Sequence, residues 1–171
     1  IKTALISLSD KTDLSIILKT LNKYKIKIIS SGGTYKTIKQ LGYACTEVST
    51  YTGFKEMLDG RVKTLHPNVF GGILSRRELE SDKEQIDQYN IPEFDLVIVD
   101  LYPFEKTVTS GAPEQDIIEK IDIGGISLIR AAAKNYKDVT VITSSNQYEE
   151  LIEELKKNKG STTLNFREKL S

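Results

Sequence analysis

Phe94-Asp95-Leu96-Val97-Ile98-Val99 is the clearest strand signal in the chain, and it is apolar at almost every position. A strand with one face in water alternates apolar and polar residues. A run apolar on both faces belongs in the middle of a parallel sheet covered by helices on each side. The stretch therefore points to an α/β fold built as three layers. Asp100-Leu101-Tyr102-Pro103-Phe104 leaves its carboxyl end, where Pro103 stops the sheet. Ligands of such sheets bind beyond the carboxyl ends of the strands. Tyr102 is either a ligand contact there or a core tyrosine with its hydroxyl satisfied.

Upstream, the same grammar occurs twice. Ala4-Leu5-Ile6 reads as a short buried strand and Ser7-Leu8-Ser9-Asp10-Lys11 as a polar turn, followed by the helical spacing of Leu14, Ile17, Leu18 and Leu21. Ile26-Lys27-Ile28-Ile29 then reads as a strand, Ser30-Ser31-Gly32-Gly33-Thr34 as a loop and residues 35–41 as a helix closed by Gly42. In both units a serine-containing turn lies between a strand end and a helix start, where free N–H groups and the helix dipole favour an anion. Each turn alone could be an ordinary connection. Two on sequential units open on the same sheet edge.

Residues 44–48 read as a further short strand. The segment from Asp59 to Gly72, Asp-Gly-Arg-Val-Lys-Thr-Leu-His-Pro-Asn-Val-Phe-Gly-Gly, holds no strand or helix period, because Pro67 and the glycines interrupt both. It reads as an ordered loop. Arg61 and Lys63 are two apart, so an extended backbone points them to one side, with the Thr64 hydroxyl beside them. They form an anion grip or a solvated basic turn.

Residues 78–89 predict an exposed helix ended by Asn90-Ile91-Pro92, and residues 110–113 a turn before a helix over 114–121. Asp122-Ile123-Gly124-Gly125 reads as a break ahead of a helix over 127–136. That leaves Asp122 as a helix cap or a functional carboxylate. Lys134 either complements the end of that helix or acts elsewhere. Residues 138–142 predict a last strand, 148–157 an amphipathic helix, and the chain from Thr163 onward another helix that stops at Ser171 in mid-pattern.

With 171 residues the chain has the size of one domain. Its 24 Lys plus Arg balance 24 Asp plus Glu, so no global field draws it to nucleic acid or an acidic membrane, and any anion must be bound locally. One cysteine, Cys45, excludes an internal disulfide and a Cys-rich zinc site, and the single histidine, His66, offers little to a metal. No apolar run reaches membrane-spanning length and no secretory pattern opens the chain, which makes the cytoplasm the expected compartment.

Taken together, Ser9-Asp10-Lys11, Ser31-Gly32-Gly33-Thr34, the stretch from Asp59 to Pro67, Asp100-Leu101-Tyr102-Pro103-Phe104, Asp122-Ile123-Gly124-Gly125 and the stretch from Arg130 to Asn135 resemble the N-terminal IMP cyclohydrolase domain of the bifunctional purine-biosynthesis enzymes that also carry AICAR transformylase. The likeness runs in unbroken order from about Ile6 to Asn135. It implies a methylglyoxal-synthase-like fold, closure of FAICAR to IMP with loss of water, a homodimer, and no metal or cofactor. It also implies that residues 1–171 are a single cyclohydrolase-like domain whose transformylase partner would lie beyond Ser171.

By the same resemblance, Lys63, Tyr102, Asp122 and Lys134 form the catalytic group. The nucleotide is bound by Ser9, Asp10, Lys11, Ser31, Gly32, Gly33, Thr34, Arg61, Val62, Thr64, Val99, Asp100 and Ile123. The chemistry suits these types, because a carboxamide nitrogen is a weak nucleophile and must lose a proton as it attacks the formyl carbon. Asp122 would accept that proton, Lys63 and Tyr102 would hold the oxyanion, and Lys134 would deliver a proton to the leaving oxygen.

Three positions depart from the family pattern. Asp100 stands where Asn is usual, and Phe70 and Tyr136 each replace a His. A carboxylate cannot donate as an amide does. Two rivals share the fold class. Methylglyoxal synthase chemistry would need His66 to serve alone, and a regulatory nucleotide-binding module like the allosteric domain of carbamoyl phosphate synthetase would need the phosphate loops without a catalytic group.

Overall fold

The structure is a computed structural model describing residues 1–171. Five parallel strands, β1 (Thr3–Ser7), β2 (Lys27–Ser30), β3 (Thr46–Glu47), β4 (Leu96–Val99) and β5 (Thr140–Ile142), form one sheet in the order β3-β2-β1-β4-β5. Every residue of β4 is buried, as its unbroken apolar run requires. Side chains alternate between two cores. Ala4, Ile6, Ile28, Leu96, Ile98 and Ile142 face one side of the sheet, and Leu5, Ile29, Val97, Val99 and Val141 face the other.

On the first side lie α1 (Leu14–Lys23), α2 (Gly32–Gln40), α9 (Tyr148–Lys157) and α10 (Leu164–Leu170), which contribute Leu14, Ile17, Leu18, Ile38, Leu151 and Phe166. On the second lie α3 (Val48–Thr52), α4 (Pro67–Leu74) and α8 (Gly124–Lys134), which contribute Val48, Val69, Ile73, Leu128 and Ala132. The exposed α5 (Glu80–Gln88), α6 (Phe104–Thr109) and α7 (Glu114–Ile118) bury no residue fully. The chain is thus a three-layer α/β fold, and no helix is long and apolar enough to cross a membrane.

Several boundaries differ from the sequence expectation for identifiable reasons. The segment read as a loop through Gly72 becomes helical at Pro67, which occupies the first turn where its missing N–H costs nothing. His66 caps that helix, its Nδ1 accepting the Asn68 N–H at 3.1 Å. Gly72 inside α4 answers to packing, since a Cβ there would stand 2.4 Å from the Pro92 carbonyl oxygen.

Gly32 to Thr34 and Gly124-Gly125 are likewise first turns of helices rather than breaks. β3 is shorter than expected because Val48 starts α3 and is buried there. The helix expected over 114–121 stops at Ile118, and α6 follows Pro103 without having been anticipated. The remaining helices, α1, α5, α9 and α10, fall where their periodicity or caps placed them.

Candidate active site

The chain leaves β1 toward β2 and β3 on one side and returns to β4 and β5 on the other, so the strand order reverses between β1 and β4. Beyond the carboxyl ends of these two strands lies a cavity of about 410 Å³, lined from β1 by Ser7, Leu8 and Ser9 and from β4 by Asp100 and Tyr102. This is the crevice such sheets offer to ligands. Asp59, Gly60, Arg61, Lys63 and Thr64 form a second wall, and the segment from Ile118 through Glu119, Asp122 and Ile123 to Gly125 a third.

A smaller cavity of about 230 Å³ lies next to it, bordered by Ser31, Glu47, Ser49, Phe54, Lys55 and Glu56, and Lys63 lines both. Lys63 makes no ion pair. Its Nζ would lie 3.5 Å from a Cβ on Gly32 and 3.6 Å from one on Gly60, so the ammonium reaches both glycines. Gly32 also has φ 55, a left-handed conformation that favours glycine.

Arg61 is less free. Its Nη2 donates to Glu119 Oε1 and the two form an ion pair across the cavity mouth. The hydrogen bond from Arg61, followed by its charge, holds the Glu119 carboxyl below its ordinary range. Both side chains are about half exposed, so the pair is screened and easily exchanged for another anion. Counting Asp59, Asp100, Glu119 and Asp122 against Arg61 and Lys63, the lining of the cavity is mixed in charge.

Asp122 combines two of its readings. Its Oδ1 accepts the Gly125 N–H at 2.6 Å at the start of α8, and the residue also lines the large cavity. Any side chain at 125 would strike this carboxylate, because a Cβ there would stand 2.6 Å from Oδ2. Gly124 lets the same helix start approach the buried Thr64 hydroxyl, to 3.0 Å from its own missing Cβ. Tyr102 is 42% exposed beside Asp100, with the Lys120 ammonium 5.1 Å from its ring centroid. It is not a core tyrosine.

The other expected site residues divide between the frame and the cavity walls. The Thr34 hydroxyl is buried, accepts from Leu8 N–H at 2.9 Å and donates to Leu8 C=O at 3.0 Å. Asp10 turns its Oδ1 to the Thr12 hydroxyl and N–H, and the hydroxyl above all lowers its pKa. Lys11 donates to the Ser9 carbonyl at 3.0 Å and packs beside Gly33. Val62 pairs with Met57 through two backbone bonds, Val99 is 1% exposed in the core, Ile123 sits on the cavity rim, and Ser31 lines the smaller cavity.

Lys134 lies apart from these. It is exposed at the far end of α8, about 15 Å from Gly124 at the ordinary helical rise, and it lines neither cavity. Sequence reasoning missed Glu119, whose partner is 58 residues away, and nothing local marks such a pair. No group of His, Cys, Asp and Glu is arranged to hold a metal ion.

A family model described as MGS-like domain matches residues 13–127, and one described as AICARFT/IMPCHase bienzyme matches residues 132–171. The bifunctional purine biosynthesis protein PurH of Bacteroides thetaiotaomicron is 56% identical over 167 residues, which is 98% of this chain and 33% of that protein. The protein of the same name from Trichodesmium erythraeum is 51% identical over 172 residues, 98% of this chain and 33% of its own. The chain thus spans about a third of the length of the curated relatives it matches. Among solved structures, the crystal structure of ForH is similar with a TM-score of 0.85 and 29% identity, over 99% of this chain and 87% of that one. With an all-parallel sheet, a cavity at its switch point and a family match over well more than half of its residues, the chain belongs to the MGS-like domain family.

Proposed function

We propose that this chain acts in purine biosynthesis as an IMP cyclohydrolase, closing FAICAR to IMP with loss of water. The observation that carries the reading is that Lys63, Tyr102 and Asp122, from three separate segments, line one cavity together with Arg61 and Thr64. The purine-biosynthesis relatives at 56% and 51% identity support it. A cavity of about 410 Å³ suits a ligand of nucleotide size, and the smaller cavity beside Ser31 and Gly32 would take the phosphate at the start of α2.

In this reading the carboxamide nitrogen attacks the formyl carbon while Asp122 takes its proton. The formyl oxygen gains the electron pair, and Lys63 and the Tyr102 hydroxyl hold the developing charge. Asp122 returns its proton to that oxygen, which departs as water with the second proton that the formamido N–H gives up as the C=N bond forms. Asp122 keeps Oδ2 for this work, since the Gly125 N–H engages only Oδ1. Holding the two reacting groups together supplies much of the acceleration.

The proposal includes a homodimer in the cytoplasm that needs no metal or cofactor. Leu101, Tyr102, Phe104, Ile118, Ile121 and Ile126 are each about 40–50% exposed, and Tyr102, Ile118 and Ile121 line the cavity, so a second copy would cover apolar side chains here. Lys134, at the far end of α8, joins a site only if such a copy brings it there. Methylglyoxal synthase chemistry is disfavoured, because His66 lines neither cavity and spends its Nδ1 on a helix cap.

A regulatory nucleotide-binding module is the second reading, favoured by the distance of Lys134 from the cavity. Incubating the protein with FAICAR and following the absorbance of IMP separates the two. Catalysed IMP formation is expected. Binding of IMP without any acceleration over buffer would move the assignment to the regulatory module.

A further inference from the structure

Asp100 is the first residue past β4, and its carboxylate reaches across the switch point to the turn between β1 and α1. Oδ1 accepts the Ser9 N–H and Oδ2 accepts the Asp10 N–H at 2.9 Å. The same turn is held from the other side by the Thr34 hydroxyl, which bonds both backbone groups of Leu8. Within the turn, Lys11 donates to the Ser9 carbonyl and Asp10 accepts from Thr12. Two anchors fix its course, one from α2 and one from the end of β4. Only Asp100 grips it on the cavity side.

We propose that Asp100 is a positioning residue, whose two carboxylate oxygens hold the Ser9 and Asp10 amides so that the β1–α1 turn presents Ser9 and Lys11 to the ligand. The geometry departs from direct recognition. The side chain engages the turn with both oxygens and acts on the ligand through it. It also explains why a carboxylate is suited to this position here. Two N–H groups converge on two oxygens, and both bonds are charge-assisted. An amide could accept only one of them and would turn its NH₂ donor toward the other N–H. In this chain the substitution of Asp by Asn is therefore a loss, although the family pattern would make it neutral or favourable. The part of the inference that concerns the ligand rests on the nucleotide reading above, and the part that concerns the turn does not.

The test has an arm for each. In the ligand-free wild type, Ser9 and Asp10 amides are expected to be protected from hydrogen exchange and shifted downfield. In Asp100→Asn, protection at these two amides should fall by about tenfold or more, with β1 and α1 otherwise unchanged. In the same variant the KM for FAICAR and the Kd for IMP should rise, again by about tenfold, while kcat at saturation changes much less. A change in fold alone would not produce that split. Freely exchanging Ser9 and Asp10 amides in the wild type would overturn the proposal without any variant being made. So would a folded Asp100→Asn protein with intact protection, or one that binds IMP more tightly than wild type. If the wild type bound no IMP, the purine reading would fail while the exchange result still decided the role of Asp100.

Discussion

Asp122 holds the Gly125 N–H and, in the proposed reaction, also takes a proton, and substitution can separate the two. Asn keeps an oxygen for the Gly125 N–H and removes basicity, so Asp122→Asn should retain α8 while kcat for FAICAR falls by about 10²–10⁴-fold. Circular dichroism and steady-state cyclisation check this, and near-wild-type kcat in the folded variant would sink the mechanism. Asp122→Ala should also lose the cap, at about 1 kcal/mol in thermal unfolding. The sequence singled out Lys63, Tyr102 and Asp122 by residue type, and the structure brings all three to one cavity. Partners were not legible in it. Nothing in the sequence shows that the Thr34 hydroxyl bonds both backbone groups of Leu8, or that Glu119 pairs with Arg61. Both partners lie far away in sequence, where spacing carries no information.

Among the elements, those with a sustained apolar period were legible, because the period is imposed by burial. Leu14, Ile17, Leu18 and Leu21 of α1 and the whole of β4 are inside. Glycines misled the reading in α4 and α8, where their lack of a Cβ serves close approach to Pro92 and to Asp122 rather than a turn. A short exposed helix such as α6 has no period to read.

One junction between elements makes a pH prediction. Asp95, just ahead of β4, accepts the Lys2 and Thr3 N–H groups at 2.5 and 2.9 Å and the Arg77 guanidinium at 2.6 Å. Burial alone would raise its pKa, but these N–H bonds and Arg77 outweigh it and hold the carboxyl below the ordinary 3.8. A lowered folded value means stability that is present above 3.8 and lost as the pH falls through that lower value. Asp95→Asn should therefore destabilise the protein by about 1–2 kcal/mol at pH 7, since it weakens the bonds from Lys2, Thr3 and Arg77 while Glu93 still faces Arg77 at 3.6 Å. The gap in Tm between wild type and variant should narrow as the pH is taken down through 3.8. A gap independent of pH would show that the carboxylate's charge contributes nothing.

At the scale of the whole molecule, the proposed dimer has a direct test. If Lys134 reaches a site only from a neighbouring copy, then Lys63→Ala and Lys134→Ala are each inactive alone, and a mixture should recover activity. Random pairing would leave about half of the molecules as mixed dimers, each with one intact site if Lys134 acts across the interface. A mixture no more active than its components would confine Lys134 to its own subunit or remove it from the chemistry. The order of the strands also bears on how the molecule comes into being. β1, β2 and β3 are consecutive and can pair as the chain emerges, but β4 must insert beside β1 at a sequence separation of 92, as the Thr3 to Asp95 bond shows. Closing so long a loop is slow, and pairings of this kind come late. Because the cavity exists only between β1 and β4, refolding should restore helical signal well before nucleotide binding, leaving a folding intermediate that is ordered in half its sheet and blind to its ligand.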